Sequence, residues 1–260
     1  MQLQQEVSTK SAISNVSLVC LYGEKNYLLN ELINTIQNYL TKLPEFTAYQ
    51  IEQVHGTILG CEGFKSTEGI ISKWFELRRK EIRYLDCGGW LEYLQNDSFV
   101  PFNVYLGGYK RDRVYNFLSR NQHPYERSFQ LQKLDETTYI PVLIGWSQKN
   151  NLITLDLDNL RRDAQQFNFL HKYHSKVESI DNDFYLRLGT INASLSTETI
   201  AIVENHIRQL LLKRPSIMLP ICQKNLAFAK YQDLSLSLET TQTIPLTEIT
   251  IEQLLNFYEV

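Results

Sequence analysis

The residues of this chain best suited to chemistry are an imidazole and a hydroxyl two positions apart: His55 and Thr57, in Val54-His55-Gly56-Thr57-Ile58-Leu59-Gly60. In a strand, such residues project from one face. A histidine ring titrates near neutrality and can carry a proton, and a hydroxyl donates a hydrogen bond without charge. Together they can move a proton and hold a phosphoryl oxygen. A histidine in a sheet also has a plainer use, with its ring hydrogen-bonded to a carbonyl. One histidine is one proton carrier, whereas transfer at phosphorus usually draws on an acid and a base.

A second constellation is basic. Lys110-Arg111-Asp112-Arg113 is followed by Arg120, His123 and Arg127, with Tyr109, Tyr115 and Tyr125 interleaved. Guanidinium groups match phosphate geometry and aromatic rings stack on bases. Asp112 and Glu126 sit among these cations, which equally suits a solvated face. Arg127 opens a strand and is the member expected to point into a cleft, so Arg127, Tyr125 and Arg187 are the candidate phosphate or nucleotide contacts. His171 and His174 stand three apart, neighbours on one face if helical; no third ligand stands at recognisable spacing, so no metal is expected. No phosphate loop, dinucleotide fingerprint or G-x-S-x-G elbow is present, and no cofactor is expected.

The elements that must position these groups alternate. A strand at Val16 to Tyr22 precedes a helix carrying Leu28, Leu32, Ile36 and Leu40 at helical spacing. The strand Tyr49 to Gly60 carries the motif, and helical patterns follow over Thr67 to Lys80 and Trp90 to Leu94. From Val100 strands dominate, with a hairpin pairing Ser128 to Leu134 with Tyr139 to Trp146. A helix is expected over Leu155 to Tyr173, a strand over Phe184 to Asn192, and a helix capped by Ser194 or Ser196 and running to Lys213. Three short strands, Ile217 to Cys222, Leu226 to Tyr231 and Leu234 to Leu238, precede a last helix, Thr247 to Tyr258. The succession occurs once in each half, which predicts an α+β fold of two similar lobes, each a mostly antiparallel sheet with helices on its outer face, around a central cleft.

Bulk properties narrow the class. At 260 residues and 43% hydrophobic, the chain can bury a sizeable core. A net charge of -3 argues against a basic nucleic-acid coat, and no DNA-binding motif appears. No apolar run approaches the ~20 residues of a membrane helix, and the polar start lacks the regions of a secretion signal. A cytoplasmic, membrane-free monomer is expected. Cys20, Cys61, Cys87 and Cys222 form no C-x-x-C pair and read as reduced.

The two halves also echo in sequence: His55-Gly56-Thr57-Ile58 in the first, Leu188-Gly189-Thr190-Ile191 in the second, each followed by a turn and a helix. This pairing resembles the 2H phosphoesterase family, which includes bacterial RNA 2',5' ligases and cyclic phosphodiesterases, over residues 16–258; residues 1–15 are expected to be a flexible start. The resemblance implies one bilobal domain, metal-independent chemistry at phosphodiesters, and RNA or a small nucleotide as partner. It implies His55 as a proton-transfer residue and Thr57 and Thr190 as the hydroxyls holding the phosphate. The second histidine of the family falls at Leu188, which can neither accept nor donate a proton. Arg187, His171 and His174 are candidates to fill that place. Three readings follow: a phosphodiesterase acting on RNA ends or on cyclic or 2'-5'-linked nucleotides, a silent RNA- or nucleotide-binding protein of the same fold, or a protein-interaction module.

Overall fold

The computed structural model describes residues 12–96 and 98–259, so most of the expected flexible start lies outside the described residues. Eight strands carry the architecture: β1 (Val16–Cys20), β2 (Gly56–Gly60), β3 (Phe102–Leu106), β4 (Tyr139–Lys149), β5 (Phe184–Arg187), β6 (Ile217–Ile221), β7 (Leu226–Lys230) and β8 (Gln242–Pro245). They lie in the order β6-β3-β4-β5-β2-β1-β7-β8, and every neighbouring pair is antiparallel. Four further strands pair along the flanks to complete twelve.

About the central β5-β2 pair the inner two strands of each half are connected alike. On one side β1 leads through α1 (Tyr27–Leu40) to β2; on the other, β4 leads through α2 (Asp156–Asp163) to β5. The α+β class and the two similar antiparallel halves are as the alternation of elements predicts. One apolar core runs through both halves, from Leu18 and Leu29 to Phe184 and Leu219. The Asn26 side chain caps α1 by accepting the Leu29 N–H at 2.9 Å, and the helix buries Leu29, Leu32, Ile33, Ile36 and Leu40. Among the described residues no helix is long and apolar enough to cross a membrane. All four cysteines are free.

Five elements differ from the expectation, the first being the strand Tyr49 to Gly60, of which only Gly56–Gly60 is strand: Ile51–Gln53 forms a tight helical turn and His55 stands just before the strand. Residues Thr67 to Ser72 are not helical: Gly63–Lys65 and Ile70–Ser72 pair as a hairpin, and helical turns begin only after it. The helix from Leu155 ends early, passing into a tighter turn at Ala164–Phe167 that Asn168 closes in the left-handed conformation (φ 64°). Beyond it the chain is a loop, because side chains from α2 seize its backbone: Arg162 donates to the Val177 and Ser179 carbonyls, and Asp158 accepts the Asp181 N–H. His171 and His174 therefore stand on a loop. Residues Leu234 to Leu238 form a turn pinned by Asp233, which accepts the Ser235 N–H at 2.8 Å and the Thr240 hydroxyl at 3.2 Å; the strand comes later, as β8. Finally, the expected strand Phe184 to Asn192 is broken at Leu188.

That break matters for the site. β5 pairs with β2 through Leu186 and Gly56, whereas Gly189–Ile191 turns aside to pair with Phe46–Ala48. A Cβ at Gly189 would lie 2.4 Å from the Thr47 carbonyl, so the close approach of those strands requires glycine. Gly56 is required for another reason: a Cβ there would lie 2.2 Å from Cζ of the fully buried Phe184. Gly56→Ala is expected to destabilise the fold by roughly 1–3 kcal/mol. A denaturant midpoint equal to that of the wild type would contradict this packing.

Candidate functional site

The β2-β5 pair sets two faces. Gly56, Ile58, Phe184 and Leu186 turn to the core, and the alternate residues turn the other way. Next to the Leu186–Gly56 pair, His55 stands across from Arg187 and Thr57 across from Tyr185. All four line one cavity. A local two-fold at the Leu186–Gly56 pair relates His55 to Tyr185 and Thr57 to Arg187, so His-x-Thr is answered by Tyr-x-Arg. The sequence echo, Gly-Thr-Ile with Gly-Thr-Ile, is displaced from this structural echo by the break at Leu188.

The two-fold relocates several candidates. Leu188 is fully buried in the core and does not face the cavity. Thr190 lies on the strand that turns aside, within 3.3 Å of the Tyr49 hydroxyl and away from the cavity, so it does not join Thr57. Arg127 is 3% exposed and sits behind the lining, with Nη2 ion-paired to Asp183 Oδ2 at 3.0 Å and hydrogen-bonded to the Tyr185 hydroxyl. Tyr125 is buried in a separate apolar cluster, its hydroxyl accepting from Gln209 Nε2 at 2.7 Å. Neither Arg127 nor Tyr125 lines the cavity, because the turn Pro124–Arg127 packs inward against Phe129–Lys133. Arg187 does line it.

His55 is held for one kind of proton transfer. Its Nδ1–H donates to the Gln53 carbonyl at 2.8 Å, which leaves Nε2 as the acceptor, without a partner among the described residues, at the cavity wall. Burial, opposed by that hydrogen bond and reinforced by the Arg187 and Lys25 charges, lowers its pKa to about 4. The ring is neutral at pH 7. The Thr57 hydroxyl has no hydrogen-bond partner among the described residues, and its backbone carbonyl is bound by Arg161.

Charge in the cavity is largely balanced. Glu62 accepts the Trp74 indole N–H at 2.7 Å and faces Lys73 at 3.9 Å. Asp181 is met by Arg161, Arg120 and His171, and Asp183 by Arg127, the Ser119 hydroxyl and the Trp146 indole. Arg187 is different: among the described residues it forms no ion pair, and it donates only to the Leu234 carbonyl at 3.3 Å. A guanidinium so placed is free to take an anion.

Several of these residues escaped the sequence reading. Tyr185 has the same period-two signature relative to Arg187 that His55 has relative to Thr57, and that signal was available. Arg161, Asp181 and Trp74 come from a helix, a loop and a helical turn, and no spacing rule joins them. His171 reaches the cavity from its loop, with Nε2 3.1 Å from Asp181 Oδ2; burial first, then the Arg161 charge, lower its pKa to about 3. His174 is fully buried, its Nε2 2.8 Å from Asp158 Oδ1. Among the described residues no three histidine, cysteine or carboxylate side chains converge as a metal-binding group.

No family model matches this chain, and no curated protein matches it. Among solved structures it is similar to the crystal structure of TT0787 of Thermus thermophilus, with 11% identity and a TM-score of 0.40, covering 88% of this chain and 93% of that one.

Proposed function

We propose that this protein acts on a phosphodiester of a nucleotide or RNA end without a resident metal, with His55 as the proton acceptor and Arg187 and Thr57 holding the phosphate. The observation that carries this reading is the quartet of His55, Thr57, Tyr185 and Arg187 on one side of the sheet, where among the described residues Nε2 of a neutral imidazole has no hydrogen-bond partner and the guanidinium has no ion pair. A water or ribose hydroxyl attacking phosphorus loses its proton to His55 Nε2. The non-bridging oxygens take the Arg187 guanidinium and the Thr57 hydroxyl. Arg187 thus takes the place that the sequence echo gives to Thr190.

A nucleotide is favoured over inorganic phosphate by the rest of the lining. Trp74 and Tyr173 provide aromatic faces at the cavity, with Lys73 4.7 Å above the Trp74 ring and Lys172 4.7 Å above the Tyr173 ring. Arg78 over Trp74 and Arg120 over Tyr173 add to these cations, which together favour an anionic chain.

The test is incubation of the full chain with 2',3'-cyclic nucleotides and 2'-5'-linked dinucleotides in the presence of a chelator, following release of a phosphomonoester or of mononucleotides. Binding is titrated in parallel at low and high salt. Turnover in chelator supports the reading; neither turnover nor binding overturns it. Salt-sensitive binding without turnover selects instead a silent nucleotide-binding protein, a reading favoured by the presence of only one histidine at the centre of the sheet. Arg187→Ala is expected to weaken nucleotide binding about 10- to 100-fold, the loss of one charge-assisted contact. Equal affinities for wild type and Arg187→Ala would remove the phosphate from this position.

A further inference from the structure

We propose that the end of the cavity beyond Thr57 reads the base of the substrate and selects guanine, with Glu62 as the residue that recognises it. The proposal rests on the phosphodiester reading above and names the nucleotide that the site takes. Glu62 is buried, yet it lines the cavity together with Gly60, Ser17 and Tyr231. What puts its carboxylate there is the glycine two positions earlier. A Cβ at Gly60 would lie 2.5 Å from Glu62 Oε2, so the carboxylate occupies the place that a side chain at position 60 would take. Gly60 follows Thr57 by three positions on β2, roughly 10 Å along a strand. A nucleoside spans a distance of that order from its phosphate to the far edge of its base.

The carboxylate is held by groups that leave part of it unused. The hairpin of Gly63–Lys65 with Ile70–Ser72 returns the chain beside Glu62, where the Lys73 N–H donates to the Glu62 carbonyl at 3.2 Å and Trp74 follows. The Trp74 indole N–H donates to Oε2 at 2.7 Å and anchors that oxygen. Oε1 accepts no hydrogen bond from the described residues; the Lys73 ammonium, 3.9 Å away, offsets its charge from beyond hydrogen-bond distance. Across from Gly60 on β1 stands Ser17, whose hydroxyl is 3.2 Å from the Tyr231 hydroxyl. One of the two donates to the other, so one hydrogen of the pair is left to donate. Burial first, then the Glu62 charge, raise the Tyr231 pKa, and its phenol is neutral at pH 7.

A buried carboxylate beside a hydroxyl donor discriminates among bases by their edges. Guanine presents two adjacent donors, N1–H and N2–H, next to the O6 acceptor; the carboxylate accepts both, and the hydroxyl hydrogen meets O6. Each carboxylate oxygen accepts two hydrogen bonds, so Oε2 takes a second beside the Trp74 bond. Adenine and cytosine offer one amino donor beside a ring-nitrogen lone pair, and uracil one donor between two carbonyl oxygens. Each of these sets a lone pair against the carboxylate. A buried charge facing a lone pair goes unpaired, which costs more than a lost contact.

The test compares the 2',3'-cyclic phosphates of guanosine, inosine and adenosine on the full chain in chelator. They share one phosphate and differ at the base edge, inosine lacking only the N2 amino group of guanosine. The ranking is read as kcat/KM where the protein turns them over and as Kd where it only binds. Guanosine should be preferred over inosine about 10-fold, the loss of one hydrogen bond to a charged group, and over adenosine about 10²-fold or more. Glu62→Gln keeps the shape and an acceptor for the indole, and should bring the guanosine-to-adenosine ratio toward one. Arg187→Ala should weaken all three together and keep their order. Equal handling of the three by the wild type, a preference for adenosine, or a guanosine preference that survives Glu62→Gln overturns the base assignment while leaving the phosphodiester reading intact; the wild-type ranking depends on no variant's folding. Neither turnover nor binding on any of the three overturns that reading and this inference with it.

Discussion

His55→Ala is expected to lower turnover of a 2',3'-cyclic nucleotide about 10²- to 10⁴-fold, the contribution of a positioned base, with a much smaller change in binding. The split follows from the geometry. In the proposed reaction Arg187 and Thr57 would contact the phosphate in both ground and transition states, whereas Nε2 of His55 would take up a proton only as the attack proceeds. The pH profile identifies the group. A base must be unprotonated, and burial holds the His55 pKa at about 4, so kcat/KM should be flat across neutrality and fall only as pH approaches 4. A solvent-exposed histidine would place that limb near ~6.5. Bound phosphate, being anionic, favours the imidazolium and moves the limb of kcat to higher pH. A limb of kcat/KM that persists unchanged in His55→Ala would assign the titration to another group.

The same depressed value has a consequence for stability. Between pH 6.5 and about 4 the unfolded chain binds a proton at His55 that the folded chain does not, so the unfolded state holds more protons there and stability rises with pH. The contribution is complete above 6.5 and is lost as pH falls toward 4. His171, lowered to about 3 by burial and the Arg161 charge, acts in the same direction. Acid-limb kinetics therefore need a parallel check that the protein is still folded.

The residues that sequence pattern could reach were those whose partners are local. Period-two alternation located β2 and β5 and placed Arg187 opposite in orientation to Leu188, and helical spacing located α1 because Leu32, Ile36 and Leu40 meet one core. What it could not reach was register. Gly-Thr-Ile occurs in both halves, yet Gly56 is small to admit Phe184 and Gly189 is small to admit the Thr47 carbonyl, so identical residues answer different neighbours. Only the Leu186–Gly56 pairing reveals that His55 corresponds to Tyr185. Likewise, the cations at Lys110 to Arg127 look like one phosphate-binding run, but Arg127 turns inward to Asp183 while Arg111 meets Glu126 at the surface. A charge's partner is set by tertiary contact, and sequence proximity carries little of it.

Arg161→Met is expected to destabilise the protein by about 3–5 kcal/mol, since it removes a buried cation that donates to four backbone carbonyls and faces Asp181. Arg161 is 3% exposed, and its guanidinium serves both sides of the cavity floor. On the β2 side its Nε donates to the Ile58 carbonyl at 2.8 Å and its Nη2 to the Thr57 carbonyl at 3.2 Å. On the loop side it donates to the Asp181 carbonyl at 2.8 Å and the Asp183 carbonyl at 3.3 Å, and it faces Asp181 Oδ1 at 3.6 Å. Methionine fills similar volume and donates nothing, so the loss is polar and is not confounded by a cavity. For a chain of this size the loss corresponds to a fall in Tm on the order of 10 °C. The strands bearing Thr57 and Tyr185 are joined directly by one residue pair, and Arg161 ties Thr57 and Ile58 to the segment that leads into β5. Its removal should therefore weaken nucleotide binding at temperatures where the protein remains folded, although its charge is committed to protein carbonyls and Asp181. A Tm within about 2 °C of the wild type, a shift of the size ~1 kcal/mol produces, would mean that the floor is held by other contacts. Full binding with a lowered Tm would confine Arg161 to stability alone.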